Sequence, residues 1–173
     1  MQGSPCEVAG TGGKHWLYRI DSGNRSALRE LGKREGKHDV IIDDGGHTTF
    51  QQLAAFEVLF LSSLREGGLY IIEDIETSFW ANAPKPTTAG EAKGDKAKGA
   101  TNTVDFFLEA ARGVNRFFFD REAVPCLGMT AASLIESVMF GQNCVIITKG
   151  KASHAQFTRM PYRFHHMVKD YKP

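Results

Sequence analysis

Two short clusters of acidic residues follow apolar segments and could together bind a cation. Residues 43–47 read Asp-Asp-Gly-Gly-His directly after a β-branched run, and Glu73 and Asp74 follow a second apolar run. Neither run alternates between apolar and polar residues, which is typical of strands buried on both faces of a parallel sheet. Because ligands bind outside the carboxyl ends of such strands, the four acids should lie side by side at one rim.

The chemistry of this rim would follow from its charge. Four neighbouring carboxylates repel one another, and a bound divalent cation would relieve that repulsion. Oxygen ligands favour a hard ion, Mg²⁺ first, with Ca²⁺ or Mn²⁺ as alternatives. His47 follows two glycines that allow a tight turn, and a neutral imidazole there could take a proton from a substrate hydroxyl. The alternative is structural, with the acids solvated or capping helices and His47 as a capping histidine.

Hydrophobic periodicity and turn residues predict the elements that would position these acids. Strands are predicted at 15–21, 39–43, 69–72, 137–140 and 144–148. Helices are predicted at 26–34, after Thr48 or Thr49, and at 104–114, because apolar residues recur there at three- and four-residue spacing. Residues 65–68, Arg-Glu-Gly-Gly, are expected to end the second helix. The order strand, helix, strand predicts a βαβ unit with parallel strands, followed by an antiparallel C-terminal hairpin.

Composition limits the class of protein. The 173 residues suit one domain, and a net charge of +1 argues against a nucleic-acid partner. Three widely spaced cysteines, no secretory signal and no apolar run of roughly 20 residues favour a cytoplasmic protein without a membrane span. We expect a Gly-rich, disordered segment at 1–14, a domain at 15–150 with a mobile, low-complexity loop at 81–103, and a basic tail at 151–173.

Two stretches of the sequence resemble a known family. Residues 39–52 (DVIIDDGGHTTFQQ) and 67–80 (GGLYIIEDIETSFW) are similar to one group of class I, Rossmann-like methyltransferases that use S-adenosylmethionine. This group includes the metal-dependent sugar O-methyltransferases of macrolide biosynthesis and the cephalosporin-hydroxylase-like proteins. The resemblance touches most of residues 16–150, and the DDGGH and ED blocks are fairly specific when they occur together.

The resemblance implies an activity and a role for each residue that matches the family's motifs. The activity is transfer of a methyl group from S-adenosylmethionine to a hydroxyl of a sugar or small natural product. The implied Mg²⁺ ligands are Asp44, Glu73 and Asp74. The implied general base is His47, and the residues on the cofactor side are Asp21, Ser22 and Asp43.

The chain departs from the family's pattern at its N-terminal side. Class I methyltransferases begin with a strand, a Gly-rich loop and a helix, then a second strand ending in a ribose-binding acid. Residues 9–13 are Gly-rich, but no adequate buried strand precedes them. We therefore expect an N-terminally truncated fold that lacks the first βαβ portion and has an incomplete S-adenosylmethionine site. Two alternatives stay open: a non-catalytic methyltransferase-like binding module, and a hydroxylase-like or hydrolytic activity on the same acids.

Overall fold

The computed structural model describes residues 17–80, 102–114, 131 and 134–151. The helices are α1 (Arg25–Glu35), α2 (Thr49–Ser62) and α3 (Thr103–Val114), and a short 3₁₀ helix covers Ile75–Phe79. The strands are β1 (His38–Asp43), β2 (Leu64–Glu73), β3 (Ile135–Gly141) and β4 (Cys144–Lys149). None of the helices in these ranges is both long enough and apolar enough to cross a membrane.

The four strands form one mixed sheet in the order β1-β2-β4-β3. β1 pairs with β2 in parallel, so the predicted βαβ unit is confirmed, with α2 as its connection. β4 pairs antiparallel with both β2 and β3, which confirms the predicted C-terminal hairpin. Asp43 lies opposite Ile72 in the parallel register, so β1 and β2 carry their acids to the same edge of the sheet.

Side-chain caps fix where the first two helices begin. The Asn24 side chain accepts a hydrogen bond from the Ala27 N–H at 3.0 Å, and the Thr48 side chain accepts one from the Gln51 N–H at 3.3 Å. Both satisfy amide groups that have no partner inside the helix. The cap at Thr48 places the start of α2 immediately after the Asp-Asp-Gly-Gly-His segment, so this loop is held between a strand and a helix.

The core lies between one face of the sheet and the helices α2 and α3. Phe56 sits at its centre, with its ring centroid 4.7 Å from that of Phe60, 5.4 Å from that of Tyr70 and 4.9 Å from that of Phe107. These rings meet mostly edge to face, which is a favourable geometry for aromatic pairs. α1 packs outside α2 through a smaller cluster around Leu28 and Val58. Both faces of α2 are therefore buried.

The opposite face of the sheet carries a row of apolar side chains. Neighbouring strands place Ile42 beside Ile71, Ile71 beside Ile146, and Ile146 beside Met139. Ile42, Met139 and also Val40 are exposed. The prediction that β1 is buried on both faces is therefore wrong for the described part of the chain. The reason is that α2 and α3 contribute to the same core, on the face that holds Tyr70 and Ile72.

Two further predictions are corrected by the structure. Within the predicted strand at 15–21, residues 17–21 have no regular secondary structure and residues 15 and 16 lie outside the described ranges. Tyr18 instead donates a hydrogen bond to Glu35 and stacks under Arg34, so the segment lies along α1. The Arg-Glu-Gly-Gly segment at 65–68 does not end α2, which stops at Ser62; it lies in β2.

The glycines at 67 and 68 belong to an irregular stretch of the pairing between β1 and β2. The register shifts there, since His38 pairs with Leu64 but Val40 pairs with Leu69. Gly67 has φ of +77°, a conformation that glycine adopts without strain. Of the predicted loop at 81–103, residues 81–101 lie outside the described ranges, as do the segments 1–14 and 152–173, while Thr103 begins α3.

Candidate metal and acid–base site

Three of the predicted site residues come together at the carboxyl ends of β1 and β2. Asp44, His47 and Asp74 each offer one ligand atom, and these atoms all lie within 4.8 Å of one another. His47 Nε2 is 3.3 Å from Asp44 Oδ1, and His47 Nδ1 is 3.5 Å from Asp74 Oδ2. The imidazole therefore stands between the two carboxylates, with one ring nitrogen toward each.

At two positions of this site the backbone adopts a conformation that is uncommon for residues other than glycine. His47 has φ of 52° and Asp74 has φ of 54°, both in the left-handed region. Histidine and aspartate occur there more often than most residues, yet the conformation still costs free energy unless neighbouring groups hold it. Thr77 supplies one such contact, because its hydroxyl donates to the His47 carbonyl at 2.6 Å.

A buried amide holds the backbone around Asp74. Gln52 Nε2 donates to the carbonyls of Glu73 and Asp74 at 3.2 and 3.3 Å. Its Oε1 accepts a hydrogen bond from the Thr103 hydroxyl at 2.7 Å, so α2 and α3 both contribute to the support. Gln52 is almost fully buried, and its amide is satisfied on both sides. The end of β2 is therefore fixed from within the core.

A side chain at either of the two glycines before His47 would meet the end of a neighbouring side chain. A Cβ atom at Gly46 would lie 2.1 Å from Gln51 Oε1, and one at Gly45 would lie 2.9 Å from Asp43 Oδ1. Both distances are shorter than real contacts allow, so a side chain at either position would push its neighbours aside. The glycines let the loop fold tightly over the end of β1 and bring His47 back toward Asp44.

Asp43 faces the core side of the sheet and is separate from the three clustered residues. It accepts a hydrogen bond from the Tyr70 hydroxyl at 3.1 Å. Burial raises the pKa of Asp43, although the hydrogen bonds from Tyr70 and from the Gly45 N–H act in the opposite direction. Burial, and next the charge of Asp43, raise the pKa of Tyr70 well above its usual value. Tyr70 is therefore a donor to Asp43 at neutral pH.

Asp21 and Ser22, the other two residues assigned to the cofactor side by the resemblance, lie beside the same loop. Asp21 Oδ1 accepts hydrogen bonds from the Gly23 N–H at 2.9 Å and from Gln51 Nε2 at 3.5 Å. Ser22 Oγ lies 3.4 Å from the position that a Cβ of Gly45 would take. The structure thus brings Asp21 and Ser22 next to the loop that follows Asp43.

Glu73 occupies a different position from the other predicted metal ligands. It is the last residue of β2, where it pairs with Cys144 and is exposed. Strand alternation places it on the face of Ile71, opposite the core. Its carboxylate is not part of the group formed by Asp44, His47 and Asp74. Its role as a ligand stays a prediction from the resemblance.

Sequence reasoning missed the residues that support the site. Asn143, in the turn between β3 and β4, donates through Nδ2 to Asp74 Oδ1 at 2.7 Å. The sequence predicts only a turn at this position. Gln52 carried a detectable signal, because it is a polar residue four positions before Phe56 on the same face of α2. No local pattern indicates that Asn143, 69 residues from Asp74, would reach it.

The residues present suit a hydrated divalent cation. Two carboxylates and an imidazole converge, and the Asp44 and Asp74 side chains are 62% and 39% exposed, so solvent and a substrate can reach them. Carboxylate oxygens suit Mg²⁺, Ca²⁺ and Mn²⁺, and Mg²⁺ commonly binds through one or two carboxylates while keeping several waters. Two acids with free oxygens, held on a fixed backbone, match that requirement.

Comparisons with known proteins find relatives that are O-methyltransferases. No family model matches the chain. The chain is 42% identical over 60 residues to 8-demethyl-8-alpha-L-rhamnosyl tetracenomycin-C 2'-O-methyltransferase of Streptomyces olivaceus, which covers 35% of the chain and 16% of the relative. It is 38% identical over 87 residues to L-olivosyl-oleandolide 3-O-methyltransferase of Streptomyces antibioticus, covering 46% of the chain and 21% of the relative. The chain therefore spans a small part of these relatives.

The fold has a solved counterpart. The MycE methyltransferase from the mycinamycin biosynthetic pathway, in complex with Mg and SAH, superposes with a TM-score of 0.65 at 21% identity. The match covers 88% of this chain and 37% of that one. At this identity the likeness is one of fold, and it extends over nearly the whole chain.

Proposed function

We propose that this chain takes part in the transfer of a methyl group from S-adenosylmethionine to a hydroxyl. The chain is related to the sugar O-methyltransferases of macrolide and tetracenomycin pathways, and it has part of the class I methyltransferase fold. The acceptor is a sugar hydroxyl on a small natural product, and the reaction depends on Mg²⁺. The observation that carries the proposal is the convergence of Asp44, His47 and Asp74 at the carboxyl ends of two parallel strands.

Asp44 and Asp74 are the proposed ligands of the cation. They come from different strand ends, and each has a carboxylate oxygen directed toward the space around His47. Glu73 is added as a third acid on the resemblance alone. When bound, Mg²⁺ would lower the pKa of the acceptor hydroxyl and so ease its deprotonation. The two aspartates would also orient that hydroxyl by fixing the position of the cation.

His47 is the proposed general base. One ring nitrogen can take the proton of the acceptor hydroxyl while the other stays beside a carboxylate, which stabilises the imidazolium that forms. The left-handed backbone at residue 47 and the hydrogen bond from Thr77 fix the backbone that carries the ring, and the carboxylates of Asp44 and Asp74 flank its two nitrogens. A fixed ring keeps the base within reach of the acceptor.

Asp21, Ser22 and Asp43 are the proposed contacts on the methyl-donor side. Asp43 begins the loop at 43–46, and Asp21 and Ser22 lie beside it, with Asp21 Oδ1 3.5 Å from Gln51 Nε2 and Ser22 next to Gly45. Asp43 accepts a hydrogen bond from Tyr70 and is not one of the three residues grouped around His47. This arrangement supports a division of the rim into a donor side and a metal side.

Cation binding can be tested by titration calorimetry with Mg²⁺. We expect Asp44→Asn and Asp74→Asn to weaken binding by more than the roughly 10- to 100-fold that follows from losing an outer-shell partner. Asp39→Asn is the matched control, since this exposed aspartate at the other end of β1 pairs with Arg65. Unchanged Mg²⁺ affinity in the Asp44→Asn, Asp74→Asn double variant would contradict the proposed metal site.

Methyl transfer is tested separately from cation binding. Thermal melting with and without S-adenosylmethionine, in the presence of Mg²⁺, measures donor binding, and labelled S-adenosylmethionine with rhamnosyl and olivosyl glycosides measures transfer. We expect His47→Ala to abolish transfer while Mg²⁺ still binds. If millimolar S-adenosylmethionine does not shift the melting temperature, the proposed methyltransferase activity is contradicted and a non-catalytic binding module is favoured. Retained turnover in His47→Ala would exclude His47 as the base.

A further inference from the structure

Asn143, in the turn between β3 and β4, makes three hydrogen bonds to the beginning of the 3₁₀ helix and its N-cap residue. Asn143 Nδ2 donates to Asp74 Oδ1 at 2.7 Å, and Asn143 Oδ1 accepts from the Glu76 N–H at 2.9 Å. The Asn143 carbonyl also accepts from the Ile75 N–H at 3.4 Å. A carboxylate only accepts and a backbone N–H only donates, so these partners fix which end of the amide is which.

Asp74 occupies the N-cap position of the 3₁₀ helix but does not cap it. An aspartate at this position commonly accepts a hydrogen bond from the second or third amide of its own helix. Here the Asp74 side chain makes no such bond, and the Glu76 N–H is taken by Asn143 instead. Asn143 therefore caps the 3₁₀ helix, and the Asp74 carboxylate takes no part in the capping.

The two oxygens of Asp74 consequently have different surroundings. Oδ1 is held by Asn143, whereas Oδ2 lies 3.5 Å from His47 Nδ1, within the group that includes Asp44. The conformation of Asn143 suits this task, because its φ of 57° is left-handed and asparagine tolerates that region better than most residues. Each part of the Asn143 amide is used, one on the carboxylate and one on the helix.

We propose that Asn143 is a positioning residue for the metal site: it caps the 3₁₀ helix in place of Asp74 and holds one oxygen of that carboxylate, so that the other faces Asp44 and His47. This inference rests on the proposed function, in which Asp74 binds a divalent cation. A partner that orients a ligand in this way contributes to cation affinity without touching the ion.

Asn143→Gly is the informative variant, because glycine keeps the left-handed turn and removes both side-chain hydrogen bonds. We expect the affinity for Mn²⁺, followed by electron paramagnetic resonance, and for Mg²⁺, followed by calorimetry, to fall about tenfold. Gln142→Gly is the matched control, since it introduces the same residue into the same turn and leaves the contacts of Asn143 in place. Its affinity should equal that of the unaltered chain. Equal losses in both variants would overturn the inference, because turn flexibility would then explain them.

A cation-free readout separates this inference from the proposed function. In a crystal structure of Asn143→Gly without metal, we expect the Asp74 carboxylate to turn and accept the hydrogen bond from the Glu76 N–H. An unchanged Asp74 side chain would overturn the positioning role, whether or not the protein binds a cation. If the unaltered chain binds neither Mn²⁺ nor Mg²⁺ but Asp74 turns as expected, the metal site fails and the capping role of Asn143 stands.

Discussion

The two ends of β4 meet neighbouring helices in opposite ways. At the C-terminal end, Lys149 is 5% exposed, and its ammonium group donates to the carbonyls of Phe60 and Leu61 in the last turn of α2 and of Leu64 at the start of β2, at 2.5, 3.2 and 2.9 Å. At the N-terminal end, Asn143 accepts from an amide at the start of the 3₁₀ helix. One end therefore carries a buried cation over helix carbonyls, and the other an amide over helix N–H groups.

The two ends of β4 differ in whether polar groups with unused hydrogen-bonding capacity remain beside them. The ammonium group of Lys149 donates to three carbonyls, so its hydrogen-bonding capacity is used up inside the protein. At the other end, Asn143 binds one oxygen of Asp74, while the second oxygen, Asp44 and His47 face one another across a solvent-accessible space. The proposed chemistry lies where polar groups converge with hydrogen-bonding capacity to spare, on a backbone held in unfavourable conformations.

The largest expected effect belongs to the core beneath the sheet. Phe56→Ala should lower the free energy of unfolding by about 4 kcal/mol, because it leaves a cavity among four other aromatic rings. Urea unfolding measures the change. Phe79→Ala is the control, since this ring is exposed and its removal should cost less than about 0.5 kcal/mol. A weaker Mg²⁺ affinity in folded Phe56→Ala protein would show that core and site are not separable.

Lys149 gives an intermediate effect that depends on pH. Burial, and next the charge of Lys37, lower the pKa of Lys149 from 10.5 to about 8. Between these values the unfolded chain binds more protons at this residue than the folded chain, so the free energy of unfolding should rise with pH, by at most about 1.4 kcal/mol per unit.

Lys149→Met tests this dependence by removing the titrating group. Its unfolding free energy should lack that rise between pH 8 and 10.5, while Lys33→Met, at an exposed pair with Glu30, should keep it. Urea unfolding at a series of pH values measures both slopes. If the unfolding free energy changes equally with pH in the unaltered chain and in both variants, the Lys149 ammonium group has the same pKa in the folded chain as in the unfolded chain.

The smallest effect is expected at the site and has the opposite sign. His47→Gly should raise the free energy of unfolding by about 0.5–1 kcal/mol without added cation, because glycine adopts φ near 52° without strain. Methyl transfer should be lost in the same variant. His38→Gly, in β1, should be destabilised instead, since glycine weakens a strand. A less stable His47→Gly would mean that the ring's contacts outweigh its backbone strain.

Helices and strands were easier to predict from the sequence than the contacts between side chains. The start of α2 followed from the pair Thr48 and Thr49, either of which could cap it, and the structure has Thr48 as the cap. The hairpin followed from the turn at 141–143 between two apolar runs. The meeting of the two acidic blocks followed from parallel pairing alone. The segment at 17–21 was misread because aromatic and aliphatic residues also suit an extended stretch that packs on a helix, as Tyr18 does.

The details of the site depend on features that no local pattern specifies. Which acids converge is decided by the left-handed turn at Asp74, which directs its side chain toward His47 and leaves Glu73 on the other side of the strand. Asn143 reaches Asp74 only because β4 runs antiparallel to β2 in a register that pairs Cys144 with Glu73. Both facts belong to tertiary packing, so the sequence predicts the metal chemistry but not the residue that positions it.

The three left-handed positions also limit how this sequence can vary. His47, Asp74 and Asn143 are the non-glycine residues with positive φ in the described ranges, and they touch in series. Threonine, valine and isoleucine are strained in this backbone conformation at all three positions. Substitutions that keep the fold unstrained are therefore limited to glycine, asparagine, aspartate and a few other residues. In a library randomised at these codons, selection for folding alone should enrich glycine. Selection for cation binding should restore the present residues.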